Sequence, residues 1–149
     1  MKTVTDPAVL EQLVERLNAL RPETPRQWGT LTAGEMLCHL ADATASVLGP
    51  DASEPAPRRR LLKWLALGVA LPWPRGLSTP PSVDPHAEGT KPSDFAADRQ
   101  RAIEGLRAFA AAPVGALSSS HGAFGPMSAQ DWHRWAYRHT DHHLRQFGL

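Results

Sequence analysis

Val9, Leu10, Leu13, Val14, Leu17 and Leu20 recur near the start of the chain at the three- and four-residue steps that line up along one face of an α-helix. Asp6 and Pro7 head this run. The first is a good N-cap, and the second sits at the first helical position, where a missing N–H costs nothing. Arg21-Pro22 ends it, so a helix is predicted from about Asp6 to Leu20.

A second stripe, Met36, Leu37, Leu40, Ala43, Val47 and Leu48, follows Thr32-Ala33-Gly34-Glu35, which has the spacing of a capping box. Gly49-Pro50 is its expected stop. From Gly49 to Pro92 proline and glycine dominate, apart from the apolar run Leu61 to Leu71. A structureless loop of that length is unusual in a compact domain. A short helix is therefore predicted from about Arg59 to Leu71, anchored by Trp64 and Trp73, with an irregular segment from Pro72 to Pro92. The next helix runs from near Ser93 to Ala111, with Phe95, Arg99, Ala102, Ile103, Leu106 and Ala110 on one face. A turn-rich connector, Ser118 to Pro126, leads to a last helix capped by Ser128, with Asp131 in its first turn, and closed by Gly148. No stretch alternates with a period of two, so no sheet is expected. These elements predict an all-α fold: a four-helix bundle whose second and third helices are joined by a long connection carrying a short extra helix.

A length of 149 residues suits one domain with one core. The net charge of +1 gives no reason to expect a nucleic-acid partner. The only basic cluster, Arg58-Arg59-Arg60, lies in a Pro-rich loop. Cys38 is the single cysteine, which excludes an internal disulfide and suits a reducing compartment. With no apolar signal segment after Met1, and with Leu61 to Trp73 too short to span a bilayer and carrying Lys63, a cytoplasmic protein without a membrane partner is expected.

On a helical wheel of the last helix, Trp132, Ala136, His139, His143 and Phe147 share a narrow stripe flanked by Trp135 and Gln146. Arg134, Arg138, Asp141 and Arg145 fall opposite and are expected to face water. His142 lies at the stripe's edge and His133 points away. Two inward imidazoles one turn apart need partners for their nitrogens. They are either hydrogen-bonded core histidines or ligands of one metal ion, since neutral imidazole binds zinc, nickel and iron well. His39, at the border of the second helix's stripe, is the natural third ligand. Glu35 and Asp42, one turn from it, could accept the N–H of a ligand imidazole, although capping already explains Glu35. His121 could approach the cleft as an acid/base group or bond its own turn. His86 is expected to be exposed.

Two segments then suggest a family. Trp28-Gly29 followed by Thr32-Ala33-Gly34-Glu35-Met36-Leu37-Cys38-His39-Leu40 resembles the second-helix motif of the DinB/YfiT-like metalloenzyme superfamily. His139-Thr140-Asp141-His142-His143-Leu144-Arg145-Gln146-Phe147 is similar to its terminal HxxxH motif with a following Gln. The connector His121-Gly122-Ala123-Phe124-Gly125 with Trp132 is similar to one subgroup. The likeness extends from about Asp6 to Phe147, while Gly49 to Lys91 has no counterpart in it. The resemblance implies that residues 1–149 form one DinB-like bundle in which His39, His139 and His143 hold a divalent metal (zinc, nickel or iron). Three protein ligands leave an open position. Some relatives are S-transferases using a low-molecular-weight thiol, and others have no known activity. The resemblance thus implies a metal-dependent small-thiol transferase or a hydrolase of small molecules, with Asp42 or His121 assisting. The alternative is a non-catalytic helical stress-response or interaction protein with a structural His cluster. The apolar Leu61 to Trp73 stretch would suit a homodimer interface or a lid.

Overall fold

The computed structural model describes residues 1–48 and 59–149. The expected Gly49-Pro50 stop and Arg58 lie outside the described residues. Four long helices carry the fold: α1 (Pro7–Ala19), α2 (Ala33–Ala45), α4 (Phe95–Ala111) and α5 (Ala129–Gln146). Between α2 and α4 lie the single turn α3 (Arg60–Lys63), a π-turn at Trp64–Gly68 and a 3-10 turn at Pro81–Val83. The fold is all-α, and no helix among the described residues is long and apolar enough to cross a membrane.

Each long helix begins where its capping chemistry places it. Asp6 accepts from the Ala8 N–H at 3.0 Å with Pro7 next in line. Thr32 and Glu35 close a reciprocal capping box, as do Ser128 and Asp131. For α4 the cap is Asp94, one residue past the expected Ser93, because its carboxylate takes the Ala97 N–H at 2.8 Å.

Two elements differ from expectation. Helix α2 stops at Ala45, short of Val47 and Leu48. Those residues leave the helix to pair with the segment before α5: Leu48 bridges Leu117, and the Ser118 N–H donates to the Val47 carbonyl at 3.0 Å. A minimal antiparallel ladder, β1 (Ser120–His121) with β2 (Gly125–Pro126), appears where no strand was expected. Strands of two residues are too short to display a period.

The core is built largely from the predicted stripes. Leu13, Leu17, Met36, Leu37 and Leu106 are almost wholly buried, while α4 adds Phe109 and α5 adds Leu144, both outside the expected faces. The connector behaves differently. The expected helix from Arg59 to Leu71 shortens to α3 and the π-turn, in which Leu67 is buried while Leu61, Leu62, Trp64 and Leu65 are exposed. Trp64 is thus no anchor for the connector, since its ring lies over Gly68. Trp73 is one, donating its indole N–H to the Ala66 carbonyl at 2.8 Å.

Polar clamps hold the connector to the bundle. Lys63 reaches Asp131 at 2.9 Å and the Pro126 carbonyl at 2.7 Å. Arg138, expected to face water, instead donates to the carbonyls of Val69 and Leu71. Asp141, also expected on the wet side, accepts Arg16 of α1 and Arg145, each at 2.8 Å. Asp42 receives the Thr90 N–H at 2.7 Å and its hydroxyl at 2.9 Å.

One carboxylate therefore fastens the far end of the connector to α2. Asp42→Ala should lower unfolding free energy by about 1.5–3 kcal/mol, the range for hydrogen bonds to a charged group, and speed amide exchange around Thr90. Unchanged urea midpoints and exchange would show that the clamp contributes nothing.

Candidate metal centre

Helical phase brings His139 and His143 to the inner face of α5, and α2 supplies His39 opposite them. Their relative exposures are 3% (His39), 9% (His139) and 8% (His143). One ring nitrogen from each lies within 4.8 Å of the others. The ring centroids are 5.0 Å apart for His39–His139, 4.6 Å for His39–His143 and 4.7 Å for His139–His143.

The outward nitrogens set the tautomers. His39 Nδ1 lies 2.8 Å from the Val83 carbonyl oxygen, and His143 Nδ1 lies 3.0 Å from Gln146 Oε1. Both partners are acceptors, so both Nδ1 atoms carry hydrogen and both Nε2 atoms keep a lone pair. His139 Nε2 lies 3.0 Å from His39 Nε2. The His39 lone pair there is met either by a proton on His139 or by a cation that both rings bind.

Such an arrangement fits a divalent metal. Two nitrogens bound tetrahedrally to zinc at about 2.0–2.1 Å stand roughly 3.3 Å apart, close to the separation seen between His39 and His139. A set of neutral imidazoles without carboxylate suits zinc, nickel or iron rather than calcium or magnesium. Burial keeps the three rings neutral. Desolvation is the main cause that lowers the pKa of all three rings, and it carries His139 and His143 well below the ordinary imidazole value. On His139 and His143, repulsion by neighbouring imidazoles adds to this. On His39, the Val83 hydrogen bond and the charges of Asp84 and Asp42 oppose it.

Aromatic rings wall the site. Trp135, one turn before His139, stacks on it at 4.7 Å with an 11° interplanar angle. Trp73 of the connector stands 6.3 Å from His139 and 5.7 Å from His142.

The Trp28-Gly29 pair acquires a role here. Trp28 meets the His142 ring edge-on at 4.9 Å. Gly29, at φ +88°, passes so close to Gln146 that a β-carbon would sit 3.1 Å from its Nε2. The Gln27 N–H also donates to the Gln146 carbonyl at 2.6 Å. This segment therefore holds in place the side chain that orients His143.

The other expected residues lie as follows. The acceptor for His39 is Val83, not Glu35 or Asp42. Glu35 serves its cap and pairs at 3.0 Å with His86, which is exposed as expected. Asp42 gives both oxygens to Thr90. His121 bonds its own turn, its Nδ1 accepting the Ala123 N–H at 3.0 Å, and stacks on Phe124 at 4.4 Å. Its ring centroid is 5.9 Å from that of Trp135, the ring that covers His139. Residue spacing carried no sign of Val83, which acts through its backbone carbonyl. Trp73 was visible only as an anchor of the connector, and Trp135 only as a flank of the inward stripe of the last helix.

These buried imidazoles make stability depend on pH. Burial lowers the His121 pKa to about 4 from an ordinary 6.5. In the window between those values the unfolded chain binds protons that the folded chain refuses. Stability present above pH 6.5 should therefore fall as pH drops toward 4, with the triad contributing in the same direction. Urea midpoints of metal-free protein across that range would record the loss, and a flat profile would mean that the rings protonate freely in the folded state.

No curated protein and no solved structure matches the chain. A family model does match, that of the DinB superfamily, over residues 3–147. That span takes in all four long helices, the connector and every residue of the triad, and the chain belongs to the DinB superfamily.

Proposed function

We propose that His39, His139 and His143 hold a divalent metal (zinc, nickel or iron) and that the protein is a metal-dependent enzyme acting on a small molecule. The reaction is transfer of a low-molecular-weight thiol or hydrolysis. The observation that carries this reading is the pair of oriented rings. Val83 and Gln146 fix the tautomers of His39 and His143 so that each Nε2 lone pair is available, the arrangement in which an outer partner aims a ligand imidazole. A metal with an open position supplies Lewis acidity, lowering the pKa of a thiol or water that joins it.

The chain's own groups do the rest. Trp135 and Trp73 exclude solvent beside His139. Asp42 assists indirectly, by fastening the connector that presents Val83, and its negative charge favours a cation beside His39. His121 stands 5.9 Å from Trp135, the ring that stacks on His139.

Metal analysis tests the first step. Purified protein should carry near-stoichiometric metal, and His39→Ala, His139→Ala and His143→Ala should each lose it. Added zinc at a hundred times its dissociation constant should stabilise the metal-free wild type by about 2.7 kcal/mol. A wild-type protein that neither retains metal nor changes in stability on adding zinc, nickel or iron would sink the proposal. It would leave a helical interaction protein whose exposed Leu61, Leu62, Trp64 and Leu65 are the surface to probe.

The outer partners should matter as well. Gln146→Leu removes the acceptor of His143, and Gly29→Ala strains a positive-φ position against Gln146. Each should weaken metal affinity about 10- to 100-fold while the far-ultraviolet circular dichroism stays helical. Wild-type affinity in both variants would show that Gln146 does not orient the ligand.

A further inference from the structure

Outside the triad, α5, the Trp28 segment and the stretch from Ala70 to Arg75 line a groove of about 730 Å³. That volume falls in the range of small-molecule sites. Trp73 and His142 form the wall it shares with the triad. The Trp73 ring lies 6.3 Å from His139, and the His142 ring lies 5.3 Å from His143. Trp28 stands 4.9 Å from His142. Three flat rings thus meet at the inner side of the groove.

Its charge is one-sided. Lys2, Arg75, Arg138 and Arg145 line it against a single acidic side chain, Asp141. Asp141 is already bound by Arg16 and Arg145, and Arg138 is turned to backbone carbonyls. Lys2 and Arg75 have no acidic partner among the described residues. Each instead rests on an aromatic face, Arg75 at 5.1 Å over Trp28 and Lys2 at 5.8 Å over Tyr137. A guanidinium lying over a ring keeps its N–H edge free for oxygen acceptors. The whole chain carries a net charge of only +1, so this excess belongs to the groove.

We propose that the groove beside the triad is a binding site for a small organic anion. Arg75 and Lys2 take its carboxylate or phosphate, and a planar apolar body lies against Trp28, Trp73 and His142.

Calorimetric titration of the full chain, with and without zinc, would use 1-naphthoate, 1-naphthyl phosphate and the neutral 1-naphthamide. At least one anion should bind about tenfold or more tightly than the amide, and the double variant Lys2→Ala/Arg75→Ala should lose about tenfold of that affinity, as expected for one or two charged hydrogen bonds. Both residues are exposed, so the variant should fold normally. The tighter of the two anions identifies the head group. Indole N–H signals of Trp28 and Trp73 should shift on binding.

Equal binding of amide and anions, an unaffected double variant, or no binding of either anion at millimolar concentration overturns the proposal. His139→Ala separates the two readings: it should lose zinc and keep the anion. Anion binding in a wild type that takes no metal supports the groove and overturns the metal reading alone. Zinc binding without anion binding overturns the groove alone.

Discussion

Keeping three imidazoles together away from water is the constraint around which this structure is arranged. Each ring has two nitrogens, and a buried polar atom without a partner is costly. For His39 and His143 the outer nitrogen finds a carbonyl-type oxygen, and the inner nitrogens are left to face one another. The fold must therefore deliver two acceptors to two particular points. One comes from the connector as Val83, and the other from the last turn of α5 as Gln146. The clamps on the connector and the close pass of Gly29 are the means by which those acceptors are positioned.

Much of this was legible in the chain. Caps and apolar stripes located α1, α2, α4 and α5 to within a few residues, because the stripe of each helix is its core contact. Helical phase selected His139 and His143 over His133 and His142 for the same reason: the inward face of an amphipathic helix can be computed from spacing alone. The third member of the triad was within reach because His39 lies on the edge of such a face.

What escaped depends on tertiary approach. Arg138 and Asp141 sit on the polar side of the α5 wheel, yet α1 and the connector cover them, and no periodicity within one helix reports what a separate segment will lay over it. Val83 contributes a carbonyl, a group every residue has, from a Pro-rich stretch without a periodic pattern. Val47 and Leu48 continue the stripe of α2 but pair with the segment at Leu117 and Ser118 instead, so an unbroken stripe overstated the helix. The exposed run around Trp64 shows the converse, an apolar segment that the bundle does not absorb.

The contact between His39 and His139 joins residues 100 positions apart. Closing a loop of that length costs the unfolded chain more entropy than any turn or cap in the molecule, because the cost rises with the logarithm of the enclosed length. A lasting bond at this point would confine the unfolded ensemble as a cross-link does, by an amount that chain statistics put at about 4.7 kcal/mol for a 100-residue loop. A metal bound by the triad would thus also be a topological lock. It would close the chain from His39 to His139, with the connector and α4 between them, into one ring.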